Sequence, residues 1–93
     1  MFNRILKIIQ DKIRKREYIM TLHGNEEMDD DSLSIFDIES CILSGKILER
    51  QKDKITAEWK YLIRGKSLSD DEVEIITKLS STGKLVIITV YKL

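Results

Sequence analysis

The spacing of apolar residues changes at Lys46, and this change decides which fold classes are open to the chain. After Lys46 apolar and polar side chains alternate, a pattern typical of half-buried strands. Short turn sequences divide this half into four predicted strands, at residues 46–52, 57–64, 72–79 and 84–92. Because the turns are short and regular, we expect consecutive strands to pair antiparallel.

The residues before Lys46 have the spacing of helices. Residues 2–16 form an amphipathic pattern whose apolar stripe is Phe2, Ile5, Leu6, Ile9 and Ile13. Residues 18–22 are extended in character, and a short helix is predicted from about His23 to Asp30. Ser34 predicts a capping box with Asp37 for a helix over 35–43, which Gly45 ends.

These patterns predict an α+β domain that spans residues 1–93. Its N-terminal helix occupies residues 1–16, a helical segment residues 18–45, and the sheet residues 46–92. Helices that precede a run of strands predict that the helices pack on one face of a four-stranded antiparallel sheet. Nothing in the sequence approaches the length of a transmembrane segment, so we expect no membrane association. The single cysteine, Cys41, is consistent with a cytoplasmic location.

The charges are distributed in blocks although the chain has a net charge of zero. Residues 1–16 contain six basic and one acidic residue, residues 17–41 contain eight acidic and no Lys or Arg, and residues 42–66 contain seven basic and three acidic. The blocks either neutralise one another or leave a basic face for phosphates. The zero net charge favours mutual neutralisation, since nucleic-acid-binding domains are usually basic.

His23 is the only histidine, and Glu27 follows it by one helical turn. A carboxylate at this position could orient the imidazole for general acid–base work on a ribose hydroxyl. The alternative is an ordinary histidine at the start of a helix, and the spacing alone favours this alternative.

Cations and hydroxyls also occur together on the predicted sheet. Lys60 and Arg64 share one face of their strand, and Tyr61, Thr89 and Tyr91 add hydroxyls in the sheet. Such groups can bind a phosphodiester, and a base can stack on an exposed tyrosine. The alternative is that these residues are ordinary solvent-facing strand formers.

The sequence predicts neither a metal site nor a cofactor site. It has one histidine and one cysteine, too few for a zinc site, and its acidic run lacks EF-hand spacing. Its four glycines are scattered rather than gathered into a phosphate-binding loop.

Several short segments of the sequence resemble, by their order and spacing, a family of small prokaryotic domains of unknown function that are suspected toxins of toxin–antitoxin pairs. The segments are Thr21-Leu22-His23, Glu27-Met28, Leu33-Ser34, Asp37-Ile38-Glu39, Gly45-Lys46-Ile47-Leu48-Glu49, Lys60-Tyr61-Leu62-Ile63-Arg64-Gly65 and Ile87-Ile88-Thr89-Val90-Tyr91. That family is similar to the RelE/barnase-like ribonucleases, which cleave RNA without a metal.

The resemblance implies a role for individual residues. His23 would be the acid or base and Glu27 its orienting partner, while Lys60 would be a cation flanked by Thr89 and Tyr91. We therefore expect a toxin-like, metal-independent endoribonuclease that cleaves RNA by 2′-hydroxyl attack. Arg64, Tyr61 and Thr89 would bind the RNA, and a cognate antitoxin would be the protein partner. The alternatives are a non-catalytic protein-interaction module, which would use the sheet edge or the basic helix, and an antitoxin-like protein.

Overall fold

The computed structural model describes residues 2–93, which form a sheet and three helices. In chain order the elements are α1 (Asn3–Arg14), β1 (Tyr18–Met20), α2 (Leu22–Asp30), α3 (Ile35–Ser44), β2 (Lys46–Lys52), β3 (Trp59–Lys66), β4 (Glu72–Leu79) and β5 (Leu85–Lys92). The strand order across the sheet is β1-β5-β4-β3-β2. None of the helices within residues 2–93 is long and apolar enough to cross a membrane.

The prediction of a four-stranded antiparallel sheet is wrong, although the α+β class is correct. Strands β2 to β5 pair antiparallel with their chain neighbours, as their short turns require. A fifth strand, β1, pairs parallel with β5 and makes the sheet mixed. The β1–β5 pairing is continued at both ends by backbone hydrogen bonds of 3.0 Å, from Leu85 N to Glu17 O and from Thr21 N to Ile87 O.

The helices do not all lie over one face of the sheet, which is a second correction. Helix α3 packs on β3 and β4, and α1 packs on α3 and β5. Helix α2 instead lies beside β5, where a Cβ atom added to Gly24 would be 3.2 Å from the carbonyl oxygens of Ile87 and Ile88. Because β1 has only three residues, α2 takes the edge position along the rest of β5.

The core lies between the sheet and the helices α1 and α3, and we call this side of the sheet the covered face. Alternate residues of the central strands are fully buried on it, among them Ile63, Ile75 and Val90. The predicted stripe of α1 meets them with Ile9 and Ile13 buried, while Phe2, Ile5 and Leu6 pack at the border of the core. This confirms the amphipathic reading of the first helix.

Helix α3 begins at the predicted capping box. Asp37 N donates to Ser34 Oγ at 3.3 Å, and Ser34 N donates to Asp37 Oδ2 at 2.8 Å. A capping residue of this type stabilises a helix by about 1 kcal/mol. The helix ends at Gly45, as predicted.

Helix α3 lies directly against the backbone of β3. A Cβ atom at Gly65 would overlap the carbonyl oxygen of Cys41, so only glycine fits at this position. Cys41 itself is fully buried, and its thiol donates to Val73 O at 3.3 Å. Burial raises the pKa of the Cys41 thiol to about 12, and the side chain packs in the core.

Candidate functional site

The side of the sheet opposite α1 and α3, which we call the open face, holds a row of polar side chains across three strands. The register places Arg64 of β3 beside Glu74 of β4, and Glu74 beside Tyr91 of β5. Arg64 Nε and Nη2 donate to Glu74 Oε2 at 2.8 and 2.5 Å, and the Tyr91 hydroxyl donates to Glu74 Oε1. We call these three residues the Arg64–Glu74–Tyr91 row.

Glu74 is the centre of this row and remains ionised. The hydrogen bond from Tyr91 and the ion pair with Arg64 lower the pKa of Glu74, against the opposing effect of desolvation. The same hydrogen bond raises the pKa of Tyr91. The Glu74 side chain is 7% exposed, whereas the Arg64 side chain is 44% exposed. Because a guanidinium has five N–H donors, Arg64 keeps outward donors for an anion in solvent.

Helix α2 supplies the hydrogen bonds that the outer edge of β5 lacks. Thr21 Oγ1 donates to Ile88 O at 3.0 Å, Val90 N donates to Glu27 Oε1 at 3.2 Å, and Lys92 N donates to Asp31 Oδ2 at 2.7 Å. Side chains of the helix thus replace a partner strand along this edge. Glu27 therefore has a structural role in addition to any role beside His23.

His23 and Glu27 form the pair that their spacing predicted. His23 Nε2 lies 3.2 Å from Glu27 Oε1, and the histidine side chain is 67% exposed. Gly24 and Glu27 are the residues of α2 that face β5. Because successive residues of a helix are about 100° apart around its axis, Met28 and His23 flank these two residues on opposite sides. Met28 packs at the core, and His23 therefore lies on the side of the open face.

Lys60 is also on the open face, but at the other end of the sheet. It is four residues from Arg64 along β3 and two strands from Tyr91, or about 13 Å along the strands and about 10 Å across them. Lys60 Nζ lies 3.0 Å from Asp53 Oδ2. Backbone N–H donors, first that of Thr56, and then Lys60 hold the pKa of Asp53 well below its usual range.

The remaining predicted residues, Tyr61 and Thr89, lie on opposite faces. Tyr61 is 7% exposed and belongs to the core, so its ring offers little surface to a base. Thr89 is half-buried, pairs with Ile76, and lies two residues before Tyr91 on the same face. The structure thus joins Arg64 to Tyr91 through Glu74 on the open face, where Thr89 also lies. Lys60 lies at the other end of that face, and Tyr61 lies on the covered face.

The sequence interpretation missed Glu74. The available signal was an acid between Val73 and Ile75, at a position that antiparallel pairing of β3 with β4 places opposite Arg64. Within residues 2–93 no three His, Cys, Asp or Glu side chains are grouped closely enough to hold a metal ion.

Comparison with models of protein families shows which family the chain belongs to. The profile of a domain of unknown function, DUF4258, matches residues 20–92. The chain belongs to this family. The match covers β2 to β5, α2 and α3, and it leaves α1 outside, as the sequence resemblance indicated. No curated protein and no solved structure matches the chain, and nothing in these comparisons links it to the RelE/barnase-like ribonucleases.

Proposed function

We propose that the chain is a toxin-like, metal-independent endoribonuclease with the activity of the RelE/barnase-like enzymes, working in the cytoplasm under control of a cognate antitoxin. The observation that supports the proposal is the Arg64–Glu74–Tyr91 row on the open face, together with the His23–Glu27 pair, whose carboxylate accepts a hydrogen bond from Val90 N, next to Tyr91. RNA cleavage by 2′-hydroxyl attack is accelerated by a group that transfers protons and by a cation that stabilises the charge on the phosphate, and an imidazole and an arginine with outward donors are groups of these two kinds.

Each residue has a distinct part in the proposed reaction. Arg64, fixed by Glu74, binds the scissile phosphate and stabilises the charge of its transition state. His23, held by Glu27, acts either as the base that takes the proton of the 2′-hydroxyl or as the acid that protonates the leaving 5′-oxygen, and water exchanges the other proton. Thr89 and Tyr91 contact the same nucleotide, and Lys60 binds a phosphate further along the strand.

Cleavage of a labelled RNA by purified protein in EDTA tests this proposal. We expect products that end in a 2′,3′-cyclic phosphate, and His23→Ala should slow their formation about 100-fold or more, the usual contribution of an acid–base group. Asn25→Ala is the matched control, since Asn25 is an exposed residue of the same helix. A His23→Ala protein that cleaves as fast as the Asn25→Ala protein would refute the assignment.

A second candidate function, a non-catalytic protein-interaction module, is favoured by an apolar groove. The groove measures about 530 Å³ and includes Phe36, Leu43 and Leu68, which are 56%, 39% and 68% exposed. Induced expression separates the two functions. Growth arrest relieved by His23→Ala supports the ribonuclease, whereas arrest that persists in His23→Ala and is relieved by Phe36→Ser supports the module.

A further inference from the structure

The β2–β3 hairpin presents an exposed tryptophan between two cations, far from the Arg64–Glu74–Tyr91 row. Trp59 lies opposite Lys52 in the register. The guanidinium carbon of Arg50 is 4.2 Å from the centre of the Trp59 ring, and Lys52 Nζ is 5.8 Å from it. Trp59 is 40% exposed, whereas Tyr61, the next residue on the same face, is 7% exposed. The helices therefore stop covering this face before Trp59.

The positive charge around Trp59 is not neutralised by the acids nearby. Asp53 and Glu58 belong to the same hairpin, but they pair on the open face, with Lys60 at 3.0 Å and with Lys78 at 3.2 Å. Across residues 2–93, no carboxylate forms a salt bridge with Arg50, Lys52 or Lys54. The two faces of the hairpin thus differ, and the face with the indole keeps its cations free.

The turn that joins the two strands is held in one conformation. Asp53 Oδ1 accepts from Ile55 N at 2.8 Å and from Thr56 N at 3.0 Å, and Asp53 N donates to Glu58 O at 2.8 Å. The Arg50 guanidinium already rests on the indole. Because these groups are ordered before binding, little entropy is lost when a ligand arrives.

From this arrangement we infer that Arg50, Lys52 and Trp59 form a binding surface for single-stranded nucleic acid. A base stacks on the indole or on the outer plane of the Arg50 guanidinium, and Arg50, Lys52 and Lys54 contact the flanking phosphates. Aromatic rings and arginine planes bind bases of any sequence in this way, with cations along the backbone. The surface does not depend on cleavage at His23.

Fluorescence gives a direct test because Trp59 is the only tryptophan of the chain. The probes are a 12-nucleotide oligo(dT) and a 12-nucleotide 2′-O-methyl oligo(U), neither of which has a 2′-hydroxyl to attack. We expect both to quench the emission of Trp59 saturably, and a preference for the second would identify RNA as the natural ligand. Absence of quenching by both, or equal quenching by polyglutamate, would overturn the proposal, and the latter would indicate an acidic protein partner.

Substitutions test whether Trp59, Arg50 and Lys52 supply the binding energy. Anisotropy of the labelled oligonucleotides should show about a tenfold weaker affinity for Trp59→Ala, as expected for one lost base stack. The double variant Arg50→Ala/Lys52→Ala should lower the slope of log K against log salt by about 1.4, since each phosphate contact on a single strand contributes about 0.7.

The matched control removes two cations elsewhere. Arg4 and Lys7 are exposed on α1 and form no salt bridge among the described residues, so Arg4→Ala/Lys7→Ala should leave both affinity and slope unchanged. An equal loss in this control would show diffuse attraction and refute the surface. Cleavage of RNA without any binding that depends on Trp59 would overturn this inference alone, whereas binding that depends on Trp59 without cleavage would overturn the ribonuclease proposal alone.

Discussion

Neighbouring residues of the three central strands serve opposite faces of the sheet, and the two faces are stabilised differently. On the covered face Ile63, Ile75 and Val90 are fully buried among apolar side chains. On the open face their neighbours Arg64, Glu74 and Tyr91 are joined by hydrogen bonds and an ion pair. The covered face depends on shape and volume, whereas the open face depends on charge and therefore on pH.

The largest effect should come from breaking the close approach of the covered face to α3. Gly65→Ala introduces a methyl group that overlaps the backbone carbonyl of Cys41. We expect a loss of about 3 kcal/mol or more in the free energy of unfolding, because backbone must move to admit it. Urea unfolding followed by circular dichroism measures the loss.

The matched control is Gly83→Ala. Gly83 has a φ of +87°, and an added Cβ atom there would meet only Lys12 Nζ at 4.0 Å. The cost should be about 1 kcal/mol, for the backbone conformation alone. Equal losses in the two variants would mean that α3 does not require close contact with β3.

The next effect concerns the charge at the centre of the open face. Glu74→Gln leaves Arg64 without its carboxylate and should cost about 2 kcal/mol at pH 7, the scale of a buried hydrogen bond to a charged group. Because the pKa of Glu74 is lowered from its ordinary value of 4.5, its ionised form stabilises the fold above that value. This stability is lost as the pH falls from 4.5 through the folded-state pKa.

Urea unfolding from pH 7 to pH 3 checks this dependence. The difference between the natural sequence and Glu74→Gln should shrink as the pH falls. Glu72→Gln is the control, since Glu72 is exposed and its ion pair with Lys66, at 3.7 Å, lies on the surface, where solvent weakens it. A constant difference at every pH would assign the loss to shape rather than to charge.

Tyr91→Phe separates the two partners of Glu74. Its hydroxyl is the largest cause of the lowered pKa of Glu74, so the variant should raise that pKa and cost about 1 kcal/mol. NMR titration of the Glu74 carboxyl carbon measures the change. Tyr18→Phe, which removes a hydrogen bond to Glu39 on another part of the molecule, should leave the Glu74 titration unchanged. A Glu74 pKa unaffected by Tyr91→Phe would make Arg64 the controlling partner.

The smallest effect should appear where α2 completes the edge of β5. Glu27→Gln keeps an acceptor for Val90 N and should change stability by less than about 0.5 kcal/mol, whereas Glu27→Ala removes it and should cost about 1 kcal/mol. Urea unfolding of both variants measures the difference. Equal losses in the two variants would show that the charge of Glu27 near His23, and not its hydrogen bond to Val90, stabilises the fold.

Local patterns predicted most of the elements. The bounds of β2 and β4 are those of the alternating segments, and the Ser34–Asp37 capping box lies where its spacing placed it. Both features depend on residues that are close in sequence. The apolar run of residues 85–90 lies in β5, which is an inner strand between β1 and β4.

The features that were missed depend on contacts between distant residues. Tyr18–Met20 is too short to show a strand period, and its partner lies at the other end of the chain, at Leu85–Ile87. The candidate site also depends on contacts between residues that are distant in sequence. Arg64 and Tyr91 were recognised as polar strand residues, but only the packing of three strands shows that Glu74 joins them.

The position of β5 between β1 and β4 has a consequence for synthesis of the protein. Of the five strands described, β5 is synthesised last, yet both of its neighbours in the sheet need it to complete their hydrogen bonding. The sheet therefore cannot close until residues 85–92 have left the ribosome, and the nascent chain carries two unpaired strand edges until then. Folding must follow translation of this segment, and it is slowed by contacts that join the two ends of the chain.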